Sequence, residues 1–296
     1  MTDAILFATW LPSLGEKLEA LNRWFALFIQ CGFGDCDIFI GNNSSPVQRE
    51  ATQVFEKWRG KFRWMEYATT LPELEVPSDV SGYQKAMQLL YESKRYPYRF
   101  VWFIHSKGMS HDPKLALRFV EKFGRPFLSA RKRVTSLLEK NSQLGTWSPW
   151  MTISPILTAP PFLDYIHDWS RWYLGFEYPI LGMFHVYTFV VMKWEPLQTF
   201  LDRANPSLFQ ECWSQQFPGK KRLRHFCEWF LGEIAFRQGW LPSWDQLMEI
   251  PSKNSPSPCP VTTEQVSMLI AAHMDKIHPR TLFQSNRKAI QYPAPP

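Results

Sequence analysis

Residues 100 to 113 read FVWFIHSKGMSHDP, an apolar run that turns abruptly polar at His105, Ser106, Lys107 and Gly108. Lys107 offers an ammonium, and Gly108 lets a backbone come close, so this strand end is equipped to hold an anion. His105 adds a ring nitrogen that can donate to an oxygen or bind a metal. The metal option is short of ligands: His105 and His111 are six residues apart, and Asp112 is the one carboxylate beside them. That set is incomplete for zinc or for a hard cation.

A second polar cluster, Asn42, Asn43, Ser44 and Ser45, follows another apolar run, CDIFIG. It is well placed to bind a nucleoside, though Asn and Ser are also the residues any tight turn prefers. A third string, PSDVSGYQKA, holds Asp79 and Lys85. Ser78, Asp79 or Ser81 can cap the helix that follows, which is the ordinary use of such residues.

The elements that must position these groups follow from periodicity. AILFAT is a buried strand, and the helix after it puts Leu14, Leu18, Leu21, Phe25 and Phe28 on one face and ends at Gly32 or Gly34. CDIFIG is a short strand, PVQREATQVFEKWRG a helix opened by Pro46, and KFRWMEY another strand. SGYQKAMQLLYESKRYP is a helix with Tyr83, Ala86, Met87 and Leu90 inward, leading into the strand YRFVWFI. Four strands alternating with helices predict an α/β fold, a mainly parallel sheet sandwiched by helices. Ligands of such sheets bind just beyond the carboxyl ends of the strands, where the first two polar clusters fall.

Downstream, HDPKLALRFVEKFGRPFLSARKRVTSLLEKN predicts one helix, or two broken near Gly124 and Pro126. The Trp-, Pro- and Tyr-rich stretch from Gly145 to Leu181 reads as loops around short elements, MFHVYTFVVMKW as one strand, and EPLQTFLDRA as a helix. KRLRHFCEWFLGEIAFRQGW is an amphipathic helix with Phe226, Trp229, Phe230 and Ile234 at helical spacing. Beyond the Pro/Ser run IPSKNSPSPCPV, Thr262 and Gln265 make a capping box for one more helix. This gives one catalytic-sized domain over residues 1–250 and an appendage of linker, helix and tail over 251–296, with an α-helical C-terminus.

The composition limits the function classes. Of 296 residues, 45% are apolar and 20% charged, which is ordinary for a globular chain. Aromatics reach 16%, enough for a ring-rich core or for the walls of a sugar site. The net charge of +6 weakly favours anionic partners, phosphates or an anionic membrane surface. The basic residues are scattered, densest at Lys220, Lys221, Arg222 and Arg224, and are not interleaved with aromatics as in a nucleic-acid module. No nucleic-acid partner is therefore expected. Five cysteines without CxxC spacing predict reduced thiols in a cytoplasmic protein and no zinc site. No apolar stretch approaches the ~20 residues of a membrane span, and no GxxxxGK[ST] loop is present to cradle a triphosphate.

The order of elements resembles glycosyltransferases of the GT-A fold, nucleotide-diphospho-sugar transferases. More narrowly, SDVSGYQKAMQLLYESKRYPYRFVWFIHSKGMSH is similar to bacterial and viral polysaccharide-synthesis proteins that carry an HTKG or HSKG segment after the fourth strand. The pieces ATWLPSLGEKLEALNRWF, GNNSS, FHVYTFVVMKWEPLQTFL and RHFCEWFLGEIAFRQGW follow in the same order, so the resemblance takes in residues 4–240. It implies transfer of a sugar from a nucleotide-sugar donor to a glycan or lipid-linked acceptor.

Many GT-A enzymes hold manganese or magnesium with an Asp-x-Asp pair at this strand end, where this chain has His105-Ser106-Lys107. A leaving diphosphate needs positive charge from a metal or from a fixed cation. The resemblance thus implies Lys107, Gly108 and His105 at the diphosphate in place of that pair, with manganese or magnesium there as the alternative. It implies Asp79 near the ribose or donor sugar, Lys85 toward the phosphates, and Asn42, Asn43 and Ser44 near the nucleoside. Arg222 and Arg224 either cover the diphosphate or form a solvated or peripheral membrane-facing patch. The proton acceptor comes late in such domains, which favours Glu228, although its spacing from Arg224 also suits a helix ion pair. Asp164 and Asp168 are the other candidates for the base. His185 either lines the cleft or is structural. Two other classes fit the same residues: a catalytically silent sugar- or nucleotide-binding protein of this fold, and, more remotely, a nucleic-acid-binding protein.

Overall fold

The computed structural model describes residues 1–11, 15–43, 48–69, 79–106, 113–153, 183–185, 188–203, 231, 234–235 and 238–247. The chain alternates β1 (Ala4–Thr9), α1 (Glu16–Gln30), β2 (Asp37–Asn42), α2 (Gln48–Arg59), β3 (Trp64–Thr69), α3 (Asp79–Ser93) and β4 (Phe100–His105). Then come α4 (Pro113–Phe119), a π-helical turn over Val120–Gly124, α5 (Arg125–Ser129), α6 (Arg131–Lys140) and β5 (Leu144–Ile153). The last described elements are β6 (Met183–His185), β7 (Val190–Lys193), α7 (Trp194–Arg203) and β8 (Leu241–Leu247).

All strands join one sheet in the order β3-β2-β1-β4-β7-β5-β6, with β8 along the other side of β5. The first four are mutually parallel; β7 runs antiparallel between β4 and β5, and β8 is parallel to β5. This is the expected α/β sandwich with a mainly parallel sheet. β1, β2 and β4 are buried along their whole length, as strands covered on both faces must be.

One face packs under α3 and α7 through Leu6, Tyr83, Met87, Phe103 and Phe200. The other packs under α1 and α4 to α6 through Phe7, Trp24, Trp102, Phe127 and Phe189. Here much of the aromatic content is core: Phe33 meets Trp102 edge-on at 4.9 Å, and Phe127 stacks on Trp147 at 5.9 Å. Geometries of this kind add about 0.5–1.5 kcal/mol per pair beyond burial.

Two expectations need correction, and a third left two alternatives. Residues 145–153, read within a stretch of loops around short elements, lie in a ten-residue strand, Leu144–Ile153. The single strand expected over 183–194 is two short ones, interrupted where Thr188 takes a left-handed conformation, φ +53°. Of one helix, or two broken near Gly124 and Pro126, the structure carries the helical course through Gly124 as a π turn, where an added Cβ would lie 2.4 Å from the Trp24 indole. The segment 251–296, and the helix expected over 220–240 except Leu231, Ile234, Ala235 and residues 238–240, lie outside the described residues.

Buried carboxylates tie the amino end of the sheet. Asp37 accepts from Arg63 at 2.7 and 2.5 Å, from Arg95 at 3.2 Å and from the Tyr98 hydroxyl at 3.0 Å. Burial, and then the Asp37 charge, push the Tyr98 phenol up, so it stays a donor. Asp3 is held by Arg99 and Arg131 at 3.0 Å.

At the carboxyl end, α3 lies backbone to backbone on the sheet. An added Cβ on Gly41 would fall 1.8 Å from the Gly82 carbonyl oxygen, and one on Gly82 would fall 2.8 Å from the Ala8 Cβ. Neither position has room for a side chain. Gly41→Ala is expected to cost about 3 kcal/mol or more, the upper end for overpacking, because the clash is with backbone. Gly60→Ala, where a Cβ meets nothing within 4 Å, should stay within about 0.5 kcal/mol of the parent. Urea denaturation midpoints check the pair; equal midpoints would show that α3 does not depend on this contact.

Candidate functional site

β1, β2 and β3 step outward in one direction, and the chain then returns to place β4 on the other side of β1. That reversal makes the carboxyl ends of β1 and β4 a topological switch point, the place where open α/β sheets usually form a ligand crevice. Its floor is set by register. Ala68, Gly41, Ala8 and His105 form one row on the α3 face, and Thr69, Asn42 and Thr9 form the next on the opposite face. Three small residues let α3 approach. The fourth is His105.

The strand ends are knitted by polar groups. Thr9 donates its hydroxyl to Asn42 Oδ1 at 3.1 Å, and the Asn43 amide donates to the Thr9 carbonyl at 2.8 Å. The Ser106 amide donates to the Ala8 carbonyl at 2.9 Å, while Ser106 Oγ accepts the Trp10 amide at 2.9 Å. β1 and β4 are thus joined across the switch point by a side chain as well as by the ladder.

His105 is buried beneath this rim. Its Nδ1 lies 3.4 Å from the Tyr83 hydroxyl, which donates to the Thr188 carbonyl, also at 3.4 Å. A carbonyl only accepts and a phenol has one proton, so a Tyr83 committed to Thr188 must accept from His105. That arrangement goes with the Nδ1–H tautomer, and a Tyr83 that donates to Nδ1 instead goes with the Nε2–H tautomer. The Tyr83 ring stands edge-on to the imidazole at 6.2 Å, and Phe189 lies 6.1 Å from it.

β5 and β6 lie further along the sheet, past β7. His185, on β6, pairs with Met151 and is fully buried. Among the described residues neither of its ring nitrogens has a hydrogen-bond partner. Burial pushes its pKa down to about 4, so the ring is neutral.

Other expected site residues fall as follows. Asn42 and Asn43 are buried at the end of β2, with Asn42 inside the strand and not in a turn. Lys85 donates to Gln88 at 3.1 Å, and Gln88 to Glu92 at 2.8 Å, a chain along the outside of α3 that leads away from the crevice. Asp79 is the first residue of α3. Ser44, Lys107, Gly108, Arg222, Arg224 and Glu228 lie outside the described residues, as do His111, Asp112, Asp164 and Asp168. Tyr83, Thr188 and Phe189 were not singled out for the site by the sequence. Tyr83 carries an inward-facing signal, but nothing local links it to β7.

No family model and no curated protein matches the chain. Among solved structures, 4-diphosphocytidyl-2C-methyl-D-erythritol synthase from Anaerococcus prevotii is similar over 93% of this chain and 96% of its own, at 10% identity and a TM-score of 0.34. A mycobacterial protein is similar over 93% of this chain and 74% of its own, at 9% identity and a TM-score of 0.30. Likeness of this degree says nothing about chemistry.

His185 makes stability depend on pH. The unfolded chain binds a proton on this ring as pH falls through about 6.5, whereas the folded ring resists until about 4. Between those values the unfolded state holds more protons, so stability falls as pH drops; the contribution is full above the window and gone below it. Relative to its own stability at pH 7.5, His185→Leu should lose about 2 kcal/mol less than the parent at pH 4.5. Paired urea titrations measure this, and identical losses would mean that the ring does not change protonation on unfolding.

Proposed function

We propose that the protein is a glycosyltransferase that moves a sugar from a nucleotide-sugar donor to a glycan or lipid-linked acceptor. The observation that carries the reading is the switch point between β1 and β4, where β4 ends in sequence on His105-Ser106-Lys107-Gly108. A crevice at such a point in a parallel sheet takes a nucleotide across the strand ends.

The chemistry follows from charge. As the bond between the sugar's anomeric carbon and the donor phosphate breaks, negative charge gathers on the diphosphate, and the Lys107 ammonium stabilises it. In an inverting transfer Glu228 takes the acceptor hydroxyl's proton while the acceptor oxygen bonds to the anomeric carbon. Asp79, at the start of α3, contacts the ribose or donor sugar, and Asn42, Asn43 and Ser44 border the nucleoside. His105 stands with Lys107 at the diphosphate. Lys107 carries the phosphate charge, with Arg222 and Arg224 as its cover. Among the described residues no group of three His, Cys, Asp or Glu side chains could hold an ion, and no step here is routed through manganese or magnesium.

A thermal-shift panel of nucleoside diphosphates and nucleotide sugars tests the binding half, because a ligand of the native state raises the melting temperature. One nucleotide class is expected to stand out. Lys107→Ala should reduce transfer at least about 100-fold, the scale for losing one preorganised electrostatic contact, with an unchanged melting temperature. Transfer should also survive a chelator. Full activity of Lys107→Ala would remove the reading. Loss of activity on chelation would return the diphosphate to a metal at His105, His111, Asp112 and Asp79. Binding without turnover would favour a silent sugar-binding protein.

A further inference from the structure

His185 is hard to account for as a structural residue. Buried polar side chains in folded proteins nearly always have partners, and a buried unpaired group costs about 1–3 kcal/mol. This ring is wholly buried, yet among the described residues neither nitrogen is bonded. It is thus retained at the expense of stability, as groups reserved for a ligand are.

Its position can be read from the strand register. Trp102 of β4, Val191 of β7 and Trp147 of β5 lie in one row. Met151 stands four residues further along β5, a strand parallel to β4, and His185 is its partner. Four residues beyond Trp102 on β4 is Ser106, the residue that closes the crevice onto Trp10. His185 is therefore level with the end of β4, on the Trp102–Trp147 face of the sheet, opposite the α3 face that carries His105. Three residues later the chain reaches Thr188, whose carbonyl receives the Tyr83 hydroxyl beside His105. Three residues span at most about 11 Å, so His185 and the His105 corner belong to the same end of the sheet.

The chemistry of the ring identifies what it can take. A neutral imidazole presents one N–H donor and one acceptor nitrogen. That pair complements a hydroxyl, which is itself a donor and an acceptor, and offers no charge to a phosphate. Burial favours the same selection, because a neutral group in a desolvated wall resists protonation across the physiological range.

We propose that His185 is a sugar-binding residue of the crevice, hydrogen-bonding a hydroxyl of the uncharged sugar unit while the diphosphate is held elsewhere. This rests on the glycosyltransferase reading and deepens it by separating the two halves of the donor. The sugar half meets neutral side chains on the β5–β6 wall, and the diphosphate half meets cations at the end of β4.

Calorimetric titration and thermal melts of the full chain at pH 7.5, parent against His185→Leu, test it. The probes are UDP-glucose and GDP-mannose with their free diphosphates, UDP and GDP, and further nucleotide-sugar and diphosphate pairs. For whichever pair binds, the parent should hold the nucleotide sugar more tightly than the free diphosphate. His185→Leu should lose at least tenfold in affinity for the sugar form and almost none for the diphosphate. The unliganded variant should also melt at or above the parent's temperature, since an unpartnered ring has been removed. A variant that melts lower and binds both forms as the parent does would show a structural histidine and overturn the inference alone. Equal losses for both forms would overturn it too, by placing the effect on the diphosphate. If no nucleotide or nucleotide sugar binds the parent, the glycosyltransferase reading fails, and the sugar subsite fails with it.

Discussion

The close approach of α3 to the sheet governs the geometry of the crevice. Gly41 and Gly82 meet backbone to backbone, and Ala8 and Ala68 continue the row of small residues beneath the helix. With the helix seated that low, the next residue along it, Tyr83, reaches past the row to its far member, His105. A larger residue at either glycine would lift the first turn of α3, and the phenol would lose its approach to both the imidazole and the Thr188 carbonyl. The left-handed Thr188 is the matching accommodation on the other side. A β-branched residue is rarely held with positive φ, and such positions persist only where the surroundings over-determine them. Here β6 and β7 flank it in the chain, and its carbonyl is engaged by Tyr83.

The two ends of the sheet divide the labour. At the amino end, ionised groups are paired with one another: Asp37 with Arg63 and Arg95, and Asp3 with Arg99 and Arg131. Each of these carboxylates is buried and its arginines are partly exposed, so the pairs satisfy lone pairs without isolating charge. Those contacts close the fold. At the carboxyl end the described groups near the crevice are Thr9, Asn42, Asn43, Tyr83, His105, Ser106 and His185. They are polar but carry no permanent charge.

Much of this arrangement could be read from the chain. AILFAT, CDIFIG and YRFVWFI are short continuous apolar runs bounded by turn residues, the pattern of strands covered on both faces, and they form β1, β2 and β4. The switch from apolar to polar at Asn42 and at His105 marks the strand ends for the same reason. β5 escaped because Pro149 and the mixed Ser, Thr and Trp sequence interrupt the pattern, and β8 because Pro242 sits within it. The break between β6 and β7 has no local signal, since Val186, Tyr187, Thr188 and Phe189 all favour strand. The contact of Tyr83 with Thr188 joins residues 105 apart. No spacing rule reaches that far, and the contact exists only because β7 inserts beside β4.

A neutral floor has a consequence for how the site can work. Charges interact more strongly where water is excluded and the surroundings are weakly polar, so a cation above such a floor acts on a bound anion with little competition from the protein. The floor supplies hydrogen-bond direction; in the proposed reading, charge comes from residues that follow the strand ends in sequence. In sequence Lys107 follows the end of β4, and Asp79 opens α3, so both residues proposed for the donor come after a described strand. Connections can change residue by residue without disturbing the core beneath them. A fold arranged in this way can change the charges that follow its strand ends while keeping the core beneath them.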